Sequence, residues 1–119
     1  MGKIEKFEDL NVWNDSIHLA REIYRSFREL RDFSFRDQIQ KAAVSIPSNI
    51  AEGYERQTNR EFIQFLYIAK GSSGELRTQL YLGIELEYVS REKGERLLQN
   101  IREISSMLYG LIRTRKKNF

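Results

Sequence analysis

The chain has no cysteine, one proline, one histidine and one tryptophan in 119 residues. Without cysteine, disulfides, thiolate metal sites and cysteine nucleophiles are excluded. With His18 as the only imidazole, a carboxylate-x-x-His motif (Asp15 to His18) cannot be doubled, as a di-iron bundle requires. A metal site is therefore not expected, and His18 reads as a surface or boundary residue. No apolar run approaches the roughly 18 residues of a membrane span. The stretch MGKIEKFEDLN at the start is too charged to read as a signal peptide. Together these absences predict a non-membrane, cytoplasmic protein with no cofactor.

Hydrophobic residues make up 40% of the chain and charged residues 31%. That balance describes one folded domain over residues 1–119. Few glycines and prolines, with abundant Leu, Ile, Glu and Arg, favour helices. The net charge is +3, and it is local. Removing Arg113, Arg115, Lys116 and Lys117 from the 20 basic residues leaves 16 against 17 acidic, a net of −1. A basic tail faces either a polyanion or only solvent.

Apolar periodicity predicts four helices, at about 9–30, 34–55, 58–87 and 90–115. In the first, Leu10, Trp13, Ile17, Ala20, Tyr24 and Phe27 form the core stripe. Arg21, Arg25 and Arg28 form a second stripe beside Glu22 and Glu29, either a phosphate-facing surface or a salt-bridged solvated one. Ser34 with Asp37 reads as the cap of the second helix. Thr58 with Glu61 forms a capping box for the third, and Ser90 caps the fourth. The third helix carries Phe62, Leu66, Ala69, Ser73, Leu76, Leu80 and Gly83 inward. The fourth carries Leu97, Ile101, Ile104, Leu108 and Leu111. Short connections between four amphipathic helices predict an antiparallel up-down-up-down bundle.

Pro47 stands in AVSIPSNIAEG, where Ile39, Ala43, Ile46, Ile50 and Gly53 keep one phase across it. This predicts a continuous helix with a proline kink, its freed carbonyl at Ala43 rebonded by Ser45, Ser48 or Asn49. A tight turn near Gln57 would set Ser45 opposite Ala69 and Ala42 opposite Ser72. Gly71 and Gly74 inside a helix suggest close backbone approach between the two helices. AKGSSGEL lacks the order and the preceding strand of a phosphate loop. Glu52 and Glu75 read as buried carboxylates in structural hydrogen bonds, Glu75 with Lys41 for instance. Ile63, Tyr67 and Tyr81 lie off the core stripe of the third helix, which suggests a second buried face in an oligomer.

FEDLNVWNDSIHLAREIY at 7–24, QIQKAAVSIPSNIAEGYER at 38–56 and EFIQFLYIAKGSSGEL at 61–76 resemble the 23S rRNA intervening-sequence proteins, a bacterial four-helix-bundle family. The residues carrying the likeness include Pro47, Asn49, Glu52, Gly53, Gly71, Ser72 and Glu75. The resemblance implies an up-down bundle, a ring-like homopentamer and no enzymatic activity. The family is similar to the accessory variability protein of diversity-generating retroelements, a pentamer that binds nucleic acid and a reverse transcriptase. The chain departs from the family pattern in its first turn, LRDFSFRDQI, which is shorter and lacks a proline.

The expected function is therefore binding of structured RNA by an oligomeric bundle. Arg113, Arg115, Lys116 and Lys117 come first as phosphate contacts, then Arg21, Arg25 and Arg28. The rival is a protein–protein adaptor, for a reverse transcriptase or another ribonucleoprotein component.

Overall fold

A computed structural model describes residues 3–119. A single 3-10 turn, Phe7–Asp9, precedes four helices: α1 Asn11–Ser26, α2 Phe33–Tyr54, α3 Asn59–Glu85 and α4 Arg91–Asn118. No strand occurs among the described residues. α1 packs on α2 and α4, and α3 packs on α2 and α4, with α1 and α3 on the diagonal. The result is an all-α four-helix bundle, 44 Å long and 24 by 20 Å across.

The helix starts follow side-chain capping. Thr58 accepts from the Glu61 amide at 3.2 Å, and its hydroxyl donates to the Glu61 carboxylate at 3.0 Å. Ser90 accepts from the Lys93 amide at 3.1 Å. The cap of α2, however, is Asp32 and not Ser34. The Asp32 carboxylate accepts from the Phe35 amide at 3.1 Å and from the Tyr88 hydroxyl at 2.8 Å. A carboxylate that serves two donors, one in the first turn of α2 and one in the α3–α4 connection, outcompetes a hydroxyl two residues on. α1 ends at Ser26, four residues short of expectation, where Phe27 turns into the core and meets Phe35 at 6.0 Å between ring centroids.

α3 closes on a Schellman arrangement. The Tyr88 amide donates to Gly83 O at 2.9 Å and the Glu87 amide to Ile84 O at 3.0 Å. Glu87 takes the left-handed conformation there, φ 61°. Glycine normally fills this place, so its absence hid the helix end.

The core stripes of α2 and α3 are as their periodicity predicts, and α2 is unbroken through a buried Pro47. Asn49 donates to Ser45 O at 2.8 Å and to Ser45 Oγ at 2.9 Å, so its side chain serves the carbonyl of Ser45 and not that of Ala43. In α1 the stripe is different. Val12, Ser16, Leu19 and Ile23 are buried, whereas Ile17 and Tyr24 are exposed. Ser16 satisfies itself by donating to Trp13 O at 2.8 Å, which allows a polar residue into the core row. In α4, Ile112 takes the buried place expected of Leu111.

The α2–α3 register lies about one turn from expectation. Ser45 meets Ser72, Oγ to Oγ at 2.8 Å. Gly53 is where the two backbones approach. A Cβ there would stand 2.5 Å from Phe65 Cβ and 3.3 Å from the Phe62 carbonyl oxygen. Gly71 and Gly74 are not close-approach positions: a Cβ on either meets nothing within 4 Å. They face away from α2 because Ala69, Ser73 and Leu76 occupy the inner row of α3.

Candidate nucleic-acid interface

Residues seven apart on a helix are two turns apart and share a face. On α3, Tyr67, Gly74 and Tyr81 have this spacing, as do Lys70 and Arg77. On α4, Arg102, Tyr109 and Lys116 have it too. Antiparallel packing brings the rows together. Lys116 Nζ donates to the Tyr67 hydroxyl at 2.8 Å, and Arg102 Nη2 donates to the Tyr81 hydroxyl at 2.7 Å. Tyr109 falls midway between those two rungs, with the Arg113 guanidinium 5.8 Å from its ring centroid.

Between the rungs lies a shallow groove of about 420 Å³ lined by Lys70, Arg77, Arg102, Ser105, Ser106 and Tyr109. No carboxylate lines it. The cations at its two rungs are held by phenols, which position a charge without neutralising it. Elsewhere cations meet acids: Arg56 with Glu52 at 2.7 Å, Arg25 with Glu22 at 3.6 Å and Arg91 with Glu95 at 3.9 Å. The α3–α4 groove is therefore a concentrated positive surface on an otherwise balanced molecule.

The expected site residues divide. Arg113 and Lys116 flank the groove, Arg113 beside the Tyr109 ring and Lys116 on the Tyr67 hydroxyl. Lys117 is exposed on the last turn of α4. Arg115 turns the other way: its Nε donates to Asn59 Oδ1 at 2.8 Å, and its carbonyl accepts from Asn59 Nδ2 at 3.0 Å. Its guanidinium lies 4.9 Å from the Phe62 ring and 3.8 Å from the Phe119 ring. Burial lowers its pKa from the ordinary arginine value. Arg115 thus fastens the end of α4 to the start of α3.

Arg21, Arg25 and Arg28 are exposed on α1, which makes no contact with α3. Arg21 donates to the ring of His18, and Glu22 joins Arg25 to Lys93 at 3.3 Å. Lys93 and Arg113 are twenty residues apart on α4, about 30 Å. The two basic clusters do not form one surface.

The motif residues are structural. Pro47 and Gly53 are buried; Asn49 and Ser72 form a half-buried chain through Ser45. Glu52 is exposed and paired with Arg56, and Glu75 is exposed with no ion pair to Lys41. Neither is a buried carboxylate, because both sit on outward rows. Among the described residues no group of three or more His, Cys, Asp or Glu could hold a metal ion. None of the helices described is long and apolar enough to cross a membrane.

The comparisons agree with this architecture. A crystal structure from Bacteroides thetaiotaomicron, described as a protein of unknown function from the S23 ribosomal protein family, is 32% identical with a TM-score of 0.81. The alignment covers 87% of this chain and 99% of that one. No curated protein matches the chain. The family described as 23S rRNA-intervening sequence protein matches residues 8–110, which include Lys70, Arg77, Arg102 and all three groove tyrosines and stop before Arg113. The chain belongs to the 23S rRNA-intervening sequence protein family.

Proposed function

We propose that the chain is a non-enzymatic cytoplasmic protein that binds structured RNA through phosphate contacts along the α3–α4 groove. The observation that carries this is the acid-free lining of Lys70, Arg77 and Arg102, with Arg113 and Lys116 at the same face. A positive surface of this kind attracts phosphates whatever the sequence of the nucleic acid. If three to five phosphates are engaged, log affinity falls with log salt with a slope of roughly −2 to −4. Titration of a fluorescent RNA hairpin between 50 and 200 mM salt reads this directly (roughly the range over which such contacts weaken most visibly). Arg77→Gln with Arg102→Gln is expected to reduce the slope by about 2. No binding at low salt, or a salt-independent affinity, removes the proposal.

A second reading is favoured by the exposed apolar residues of α2 and α3. Val44, Ile68, Leu82 and Leu86 are exposed, and Gly71 opens onto empty space. These suit a second copy of the chain in a homopentamer, or a protein partner such as a reverse transcriptase. Light scattering with absorbance at 260 and 280 nm separates the readings. A pull-down that survives nuclease favours the adaptor.

A further inference from the structure

We infer that the α3–α4 groove takes an unpaired strand, its bases stacked on Tyr67, Tyr109 and Tyr81 and its phosphates on the cations between them. The inference rests on the phosphate-binding reading above and adds the class of nucleic acid.

The three tyrosines are what a phosphate surface alone leaves unexplained. They are 45, 52 and 48% exposed, so folding makes limited use of their rings. Two have their hydroxyls held, Tyr67 by Lys116 and Tyr81 by Arg102, which restricts each ring while leaving about half of it in solvent. A duplex presents phosphates to such a surface, but its bases are already stacked and cannot reach the rings. An unpaired strand offers both, and base–aromatic stacking tolerates any sequence.

The spacing fits. Tyr67 and Tyr81 are fourteen residues apart on α3, about 21 Å, and Tyr109 stands near the midpoint. Adjacent rings are therefore offset by about 10 Å along the bundle axis, the rise of about three stacked nucleotides at roughly 3.4 Å each. The whole row accommodates about seven stacked nucleotides and fewer extended ones. Gly74 lies midway between Tyr67 and Tyr81 in the same seven-residue row of α3. A Cβ there would meet nothing within 4 Å, so the row is open between its two rings.

The test compares a fluorescent ten-nucleotide oligouridine with a ten-base-pair RNA duplex at low salt. The single strand is expected to bind more tightly. Tyr109→Leu, checked for unchanged thermal melting, should weaken oligouridine binding about five- to a hundred-fold and duplex binding much less; Tyr81→Leu, which also releases Arg102, should weaken both, oligouridine more. Tyr109→Phe retains the ring and should retain affinity within about twofold. Duplex binding equal to or tighter than single strand, with the leucine variants silent, overturns the unpaired-strand inference while the phosphate-binding reading stands. Failure of both ligands to bind overturns both. A change of oligomeric state in Tyr109→Leu, read by light scattering, assigns the face to subunit contact and overturns the inference.

Discussion

Gly53 and Gly71 occupy similar helical backbones and have opposite surroundings. At Gly53 a methyl group would meet Phe65 Cβ and the Phe62 carbonyl, neither of which moves without shifting α3. Gly53→Ala is expected to cost about 1–2 kcal/mol by urea denaturation, overpacking outweighing the gain in helix propensity. At Gly71 the methyl meets nothing, so Gly71→Ala should stabilise the isolated chain by up to about 1 kcal/mol. A loss of stability at Gly71, or a loss of assembly, would show a partner packed on it. Asp32 and Tyr88 offer a test in pH. The Tyr88 hydroxyl, then the Phe35 amide, hold the Asp32 carboxyl below its ordinary 3.8. The same hydrogen bond raises the Tyr88 phenol above its ordinary 10.0. A depressed carboxyl stabilises the fold above its unfolded value and loses that as pH falls through the folded one. A raised phenol stabilises the fold below its unfolded value and loses that as pH rises through the folded one. The melting difference between the native chain and Tyr88→Phe should be largest between these two ranges and shrink at both extremes. A difference independent of pH would mean that the hydrogen bond is not its source.

The helices were legible in the sequence wherever a core row is wholly apolar or small. Pro47 does not interrupt the row of α2, and the row of α3 reads correctly from Phe62 to Gly83. In α1 the expected stripe holds at Leu10, Ala20 and Phe27 and fails at Ile17 and Tyr24, because Ser16 and not Ile17 belongs to the buried row. The Asp32 cap was hidden by Ser34, a second cap-competent residue close by. The end of α3 was hidden because Glu87 occupies a left-handed position that glycine usually marks. That position predicts its own correction. Left-handed backbone costs a non-glycine residue roughly 1–2 kcal/mol, while an exposed glycine adds unfolded-state entropy. Glu87→Gly should therefore stabilise the chain by about 0.5–1 kcal/mol, seen as a melting rise of a few degrees. A lower melting temperature would mean that the Glu87 side chain contributes more than its backbone costs. The last turn of α4 divides in the same residue-by-residue way. Arg115 bonds Asn59, and Lys117 is exposed with no hydrogen bond or ion pair among the described residues. Arg115→Ala should lower stability by about 1 kcal/mol and leave the salt slope of RNA binding unchanged. Lys117→Ala should leave stability unchanged.

Across the whole molecule, charge is distributed by helix packing more than by sequence neighbourhood. The tail looked like one cluster in the sequence, yet its four cations point to different places. Arg113 and Lys116 find partners in Lys70, Arg77 and Arg102, which lie up to 46 residues away in the chain. The seven-residue spacings on α3 and α4 were present in the sequence. Which two rows would face one groove depended on the register between helices. Arg21, Arg25 and Arg28 stand on α1, which makes no contact with α3, and the acids Glu22 and Glu103 line the α1–α4 side between them and the groove. One subunit therefore offers few phosphate contacts, and strong binding requires several copies. In a homopentamer, five grooves on one particle would let a long RNA engage more than one, raising apparent affinity by about 10²–10⁴ without new contacts. The dependence on length discriminates. A ten-nucleotide strand can occupy one groove, so its affinity should not change when the assembly is diluted into subunits. A strand several times longer should bind the assembly at least about tenfold more tightly than the short one and lose that advantage on dissociation. Equal affinities for the two lengths on the intact assembly would mean that the grooves act singly, and the basic surface would then be too weak to account for RNA binding at physiological salt.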